Sequence, residues 1–146
     1  MTAEQRRILA LDLGDVRIGV ALSDPLRITA QPLEPLRRVG PRKDLAAVAR
    51  LIEQHGAETV VIGLPLLLSG DEGPRAAMAR EFAAGLERRL QRIRIVLWDE
   101  RFTTVEAERA MIADGVRRAK RRDVVDGLAA VLILQSFIEA TYADVE

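Results

Sequence analysis

Apolar positions divide the chain into short alternating runs and longer helical stripes. Residues 8–13 (ILALDL) and 18–23 (IGVALS) alternate or run apolar, with Gly14 and Asp15 between them. That is the pattern of a β-hairpin. A third short strand is expected within 26–39, where Pro25, Pro32 and Pro35 keep it near a sheet edge. In "DLAAVARLIEQHG" the apolar residues recur at helical spacing between Asp44 and Gly56, which predicts a helix. His55 precedes that glycine and suits a helix end better than catalysis. "TVVIGLP" has the β-branched character of a buried parallel strand. "LLLSGDEGP" reads as a loop, and Pro74 opens a helix to about residue 90. "IRIVLW" predicts another buried strand, ending at "DER". Thr103 and Glu106 have capping-box spacing and start a helix that stops near Gly115. "VRRAKRR" reads as a basic loop. "DVVDGLAAVLILQSFIEATY" is apolar nearly all round, so it predicts a buried final helix.

This order predicts an α/β fold with a mixed five-stranded sheet. Three antiparallel strands come first and two parallel crossover strands follow, with helices covering the sheet. The pattern suits an RNase H-like fold. With no repeat and no low-complexity linker, residues 1–146 read as one domain.

Composition narrows the chemistry. Hydrophobic residues make up 49% and charged residues 30%, as in ordinary globular proteins. There is no cysteine, which excludes disulfides, thiolate zinc sites and a cysteine nucleophile. "TAEQRR" after Met1 is not a secretory leader, and no apolar run reaches the roughly 20 residues of a membrane span. A cytoplasmic protein without membrane association is expected. The formal net charge is +0, yet bases cluster in "LRRVGPRK", "LERRLQRIR" and "RRAKRR".

Four acids stand at strand ends or where apolar residues would be expected: Asp12, Glu100, Asp123 and Asp126. Asp12 and Glu100 close strands expected to run parallel, so both reach the same sheet edge, where ligands of open α/β sheets bind. Asp126 shares a helix face with Ala129, Ala130 and Ile133, and the two alanines allow close approach to the sheet. Converging carboxylates repel one another, and divalent cations relieve this. Mg²⁺ and Mn²⁺ prefer oxygen ligands. Two such ions about 4 Å apart suit phosphodiester hydrolysis. Each acid also has a structural reading. Asp123 is well placed as a helix N-cap, Asp126 complements a helix N-terminus, and Asp12 suits a turn. Asp99 reads as a structural neighbour of Glu100, and Asp24, Asp71 and Glu72 as loop acids. Trp98 reads as core before base-stacking platform.

Four segments, "LDLGDVRIGVALSD", "VVIGLPLLLSGDEGPRAAMAREFA", "WDERFTTVEAERAMI" and "VVDGLAAVLILQSFIE", together resemble the YqgF family, also called RuvX. The resemblance runs in order along nearly the whole chain. It implies an RNase H-like, metal-dependent nuclease, either a Holliday-junction resolvase or a nuclease maturing the 5′ end of 16S ribosomal RNA. It also implies a catalytic and metal-binding triad of Asp12 in "DLG", Glu100 in "DER" and Asp126 in "VVDGLAA", with Asp123 assisting the metal. One departure stands out. Many RNase H-like nucleases carry the second acid on the strand beside the first, whereas "VVIGLP" ends without an acid. Glu100 comes from the next strand out, about two spacings of about 4.8 Å from Asp12.

A phosphate-rich substrate calls for positive charge near these acids. Arg117, Arg118, Lys120, Arg121 and Arg122 precede the final helix and are candidates for backbone binding, against the alternative of a solvated loop. Arg17 and Arg101 flank the acids and either meet phosphate or neutralise a carboxylate. In "LLLSGDEGPR", Gly70 and Gly73 permit mobility and Arg75 stands at a helix N-terminus, so this segment is either an anion clamp or a plain connection. Its leucines 66–68 also suit a partner contact. The leading reading is a metal-dependent endonuclease acting on a four-way DNA junction or precursor ribosomal RNA. Junction cutting needs two symmetric incisions and hence a two-fold homodimer, whereas RNA trimming does not. The alternatives are a non-catalytic nucleic-acid scaffold and a nucleotide-binding ATPase relative. The latter normally needs two such domains facing a cleft.

Overall fold

The computed structural model describes residues 7–99 and 118–142, with the side chains of 118–126 and of residue 142 excepted. Five strands form one sheet: β1 (Arg7–Leu13), β2 (Arg17–Ser23), β3 (Ala30–Arg37), β4 (Ala57–Leu64) and β5 (Arg94–Asp99). Their order is β3-β2-β1-β4-β5. The first three pair antiparallel, and β1–β4 and β4–β5 pair parallel. This is the mixed sheet expected from the sequence.

The alternation of each strand supplies two cores. Leu9, Leu11, Leu13, Ile18, Val20, Val60 and Ile62 face one side, under α1 (Pro41–His55) and α2 (Pro74–Arg89). Ile8, Ala10, Ala21 and Val61 face the other, under α3 (Arg118–Tyr142), which packs through Ala130, Ile133, Leu134 and Phe137. Ala10 of β1 and Gly19 and Ala21 of β2 are small residues on the α3 side, which lets the helix approach the middle of the sheet. No helix among the described residues is long and apolar enough to cross a membrane.

Several boundaries differ from expectation. Helix α1 begins at Pro41, not at Asp44, because proline at the first position needs no N–H partner and its φ is already helical. At the other end of α1, Gly56 takes the left-handed conformation, φ 64°, and closes the helix after His55. The basic run is not a loop from Arg118 onward. It forms the first turns of α3, since Arg, Ala and Lys are strong helix formers and no breaker stands before Asp123. Asp123 and Asp126 therefore lie five and eight residues into the helix, so Asp123 is not its N-cap and Asp126 is not in its first turn. Strand β5 is half-buried along most of its length because it is the sheet edge. The helix expected over 103–115 lies outside the described residues.

Strand β3 is the opposite edge and carries Pro32 and Pro35. The β2–β3 register shifts between Ile18 and Val20, so Glu34 and Pro35 fall opposite Gly19. A proline at an edge bulge costs no ladder hydrogen bond.

Candidate active site at the carboxyl end of β1

Asp12 is half-buried near the end of β1. It has the parity of Ile8 and Ala10, so its side chain is on the α3 face. Its antiparallel partner on β2 is Gly19. On the other side, one residue beyond the Leu11–Ile62 pair, β4 has Gly63, which pairs in turn with Trp98 of β5. Asp12 thus lies in a cross-strand row between two glycines. The strand separating β1 from β5 carries no side chain at that level. This bears directly on the two-strand gap between Asp12 and the β5 end: nothing from β4 fills it.

The turn after Asp12 is rigidly built. The Gly14 N–H donates to Arg17 O over 2.9 Å. A Cβ on Gly14 would lie 2.7 Å from that same oxygen, so only glycine fits. The Gly14 carbonyl accepts from Arg38 Nη1 at 3.0 Å, and the Arg38 backbone N–H donates to Val16 O at 2.8 Å. Arg38 Nε meets Asp44 Oδ2 at 3.1 Å. Asp44 is only 3% exposed and also accepts from the N–H groups of Val39, at 2.9 Å, and Gly40. Burial alone would raise the Asp44 pKa. The hydrogen bonds from Val39, Arg38 and Gly40 prevail and hold it below the ordinary carboxylate value. Sequence reasoning missed this pair. The available signal was Asp44 on the same helical stripe as Val48 and Ile52, where an unpaired acid would be costly.

Helix α3 covers the face that carries Asp12. Ala129 and Ala130 are buried, and Asp126 stands four residues before Ala130 along the helix. Trp98 Nε1 donates to Ser136 Oγ at 3.0 Å, and the indole meets the Phe137 ring edge-on with centroids 5.3 Å apart. Trp98 is therefore a packing residue. Glu100 and Arg101 lie outside the described residues, as do the side chains of Asp123 and Asp126. Among the described residues no three potential ligands form a metal cluster, and of the expected triad only the Asp12 side chain is described.

The basic candidates divide similarly. Arg17 opens β2 and is half-buried, and both it and Asp12 are engaged with neighbours. Arg75 Nη2 lies 3.8 Å from Asp15 Oδ1 between two exposed side chains. That contact is weak, but it places the start of α2 beside the turn that follows Asp12. Arg118, Lys120, Arg121 and Arg122 belong to the helical backbone of α3, while Arg117 lies outside the described residues.

The segment expected as a plain or mobile loop is internally tied. Leu66 and Glu72 form a β-bridge, and Leu67 N–H donates to Asp71 O. Glu72 takes two 2.6 Å bonds from the Arg80 guanidinium. Gly70 has φ 91°, whereas Gly73 lies against the Leu67 side chain. Leu66 packs on the core, and only Leu67 and Leu68 are exposed. Asp24 is a structural loop acid. Its carboxylate accepts from Leu26, Ile28 and Thr29 N–H groups, which outweigh its burial and lower its pKa.

The fold is shared with solved resolvases. Thermus thermophilus RuvC in complex with a Holliday junction substrate aligns with a TM-score of 0.58 at 14% identity, covering 94% of both chains. The fowlpox virus Holliday junction resolvase aligns with a TM-score of 0.56 at 13% identity, covering 92% of this chain and 98% of that one. These likenesses show an RNase H-like, RuvC-type fold. Curated relatives are much nearer in sequence. A protein of Koribacter versatilis named "Putative pre-16S rRNA nuclease" is 50% identical over 145 residues, 99% of this chain and 94% of its own. One of the same name from Pelotomaculum thermopropionicum is 48% identical, covering 92% and 87%. The family model for RuvX, described as Holliday junction resolvase, matches residues 6–140, from the start of β1 into the last turn of α3, and the chain belongs to that family.

Proposed function

We propose that this protein is a metal-dependent endonuclease of structured nucleic acid, with Asp12, Glu100 and Asp126 as its catalytic carboxylates and Asp123 as an accessory ligand. The observation that carries this reading is the setting of Asp12. It stands at the carboxyl end of a central strand, between Gly19 and Gly63, on the face covered by the helix to which Asp126 belongs. In sequence, Glu100 directly follows the last residue of β5, Asp99.

The donor set is all oxygen, which fits Mg²⁺ or Mn²⁺ and disfavours softer ions. A pair of such cations supplies water activation and neutralises charge on the leaving oxygen. The chain's own part is to hold the carboxylates at one sheet edge and to bind the phosphodiester backbone. Arg17, Arg75, Arg101, Arg117, Arg118, Lys120, Arg121 and Arg122 supply the positive charge for that binding.

Precursor 16S ribosomal RNA is the favoured substrate. The support is the name borne by relatives at 48% and 50% identity, against a fold likeness at 14% for the junction resolvases. Such a substrate places the protein in the cytoplasm. The family description keeps four-way DNA as the second reading, which requires a two-fold dimer. The experiment is cleavage of a precursor 16S RNA 5′ fragment, a four-way DNA junction and a linear duplex, each with Mg²⁺, Mn²⁺ or EDTA. Metal-dependent cutting of the RNA alone is expected. Cutting of the junction alone would overturn the substrate assignment, and binding without cutting under every condition would favour a non-catalytic scaffold.

A further inference from the structure

We propose that Arg38 is a positioning residue that fixes the end of β1, and with it Asp12, from the opposite face of the sheet; the inference rests on Asp12 being a metal-site acid. One guanidinium joins three elements. Nη1 donates to the Gly14 carbonyl at 3.0 Å and lies 3.7 Å from Met78 Sδ of α2, while Nε is paired with Asp44 of α1 at 3.1 Å. The residue's own N–H holds Val16 O at 2.8 Å. Both oxygens it holds belong to the turn that begins two residues after Asp12.

Arg38 does not reach the Asp12 face. Its partners Asp44 and Met78 belong to α1 and α2, and it lines a cavity with Leu45 of α1 on that side, whereas Asp12 has the parity of the α3 side. Its influence on Asp12 therefore passes through the backbone. The hairpin does not need Arg38 to close, since β1 and β2 pair over five residues and Gly14 N–H already bonds Arg17 O. Nor is a buried ion pair an efficient source of net stability, because its desolvation cost offsets most of its attraction. A fixed five-donor fork aimed at one carbonyl is instead suited to holding a strand end at a defined height and tilt. Lysine, a single point charge, cannot bond Gly14 O and Asp44 in the same geometry.

The test compares wild type, Arg38→Met, Arg38→Lys and Asp12→Asn as full chains. The readouts are melting temperature, Mn²⁺ affinity without substrate from the free Mn²⁺ EPR signal, and kcat and KM for cleavage. Arg38→Met is expected to weaken Mn²⁺ binding and kcat by about 10-fold, the low end of the loss on removing a group bonded directly to a metal ligand, because Arg38 acts through the backbone, with KM unchanged. Arg38→Lys, which keeps charge and most of the volume, is expected to fall between. Mn²⁺ affinity and kcat at wild-type level in either folded variant would overturn the proposal, whatever the melting temperature. If Asp12→Asn is inactive while both Arg38 variants cleave normally, the positioning role alone fails. If Asp12→Asn cleaves as wild type, the metal-site reading fails and takes this inference with it.

Discussion

Trp98 and Ser136 join the edge strand β5 to α3 through a 3.0 Å hydrogen bond. The two elements so joined matter because the proposed carboxylates Glu100 and Asp126 are attached to them. Trp98 precedes Glu100 by two residues, and Ser136 follows Asp126 by ten. Removing the acceptor with Ser136→Ala leaves the half-buried indole N–H without its partner, and is expected to cost about 1 kcal/mol. Trp98→Phe is expected to cost more, through the lost bond and lost packing on Phe137. Urea unfolding of both single variants and the double variant measures the coupling. Additivity would mean that the bond contributes nothing beyond packing.

The Arg38–Asp44 pair has a second, thermodynamic signature. Asp44→Ala removes one partner of a buried pair and leaves an arginine side chain that is only 17% exposed. A loss of about 3–5 kcal/mol is expected from chemical denaturation.

The same pair shapes the acid limb of the stability curve. The folded-state pKa of Asp44 lies below its ordinary value of 3.8, so the unfolded chain binds the proton more tightly. The stabilisation is complete above that ordinary value and is lost as pH falls toward the depressed folded value. Stability of the wild type is therefore expected to drop as pH is lowered below about 4. Asp44→Asn should be less stable at pH 7 and show a shallower acid loss. Parallel curves for the two proteins would contradict the assignment.

Ala130 is fully buried beneath the sheet face that carries Asp12. Ala130→Leu is expected to push α3 outward and to cost about 1–3 kcal/mol by overpacking. Cleavage should fall more than that loss explains in protein that remains folded, because Asp126 lies on the displaced helix. Thermal melting and single-turnover rates, compared at a temperature where both proteins are folded, separate the two effects.

Much of this was legible along the chain. The alternation of 8–13 and 18–23 predicted the hairpin, and the β-branched run around Val60 predicted the central parallel strand. Together they put Asp12 near the carboxyl end of a central strand, where the structure has it. Other features depend on relationships that a linear pattern does not carry. The start of α3 escaped because "RRAKRR" has high helix propensity but no apolar face to signal it. Strand β5 looked buried because its residues are apolar, yet burial depends on a neighbour that an edge strand lacks. The gap at Gly63 becomes meaningful only once β4 is known to lie between β1 and β5. Arg38 read as one of a cluster of bases and Asp44 as the start of a helix, since their meeting requires the chain to turn at Gly40 into α1.

The most direct measurement is the cleavage rate of Asp12→Asn beside wild type, on the substrate that wild type cuts, with Mg²⁺ and with EDTA. Asparagine keeps the size of the side chain and removes its charge, so the fold and its melting temperature should be retained. If Asp12 is a metal-site carboxylate, the variant in Mg²⁺ will fall to the rate that wild type shows in EDTA, while still binding the nucleic acid. A variant that cleaves at the wild-type rate would contradict the proposed site.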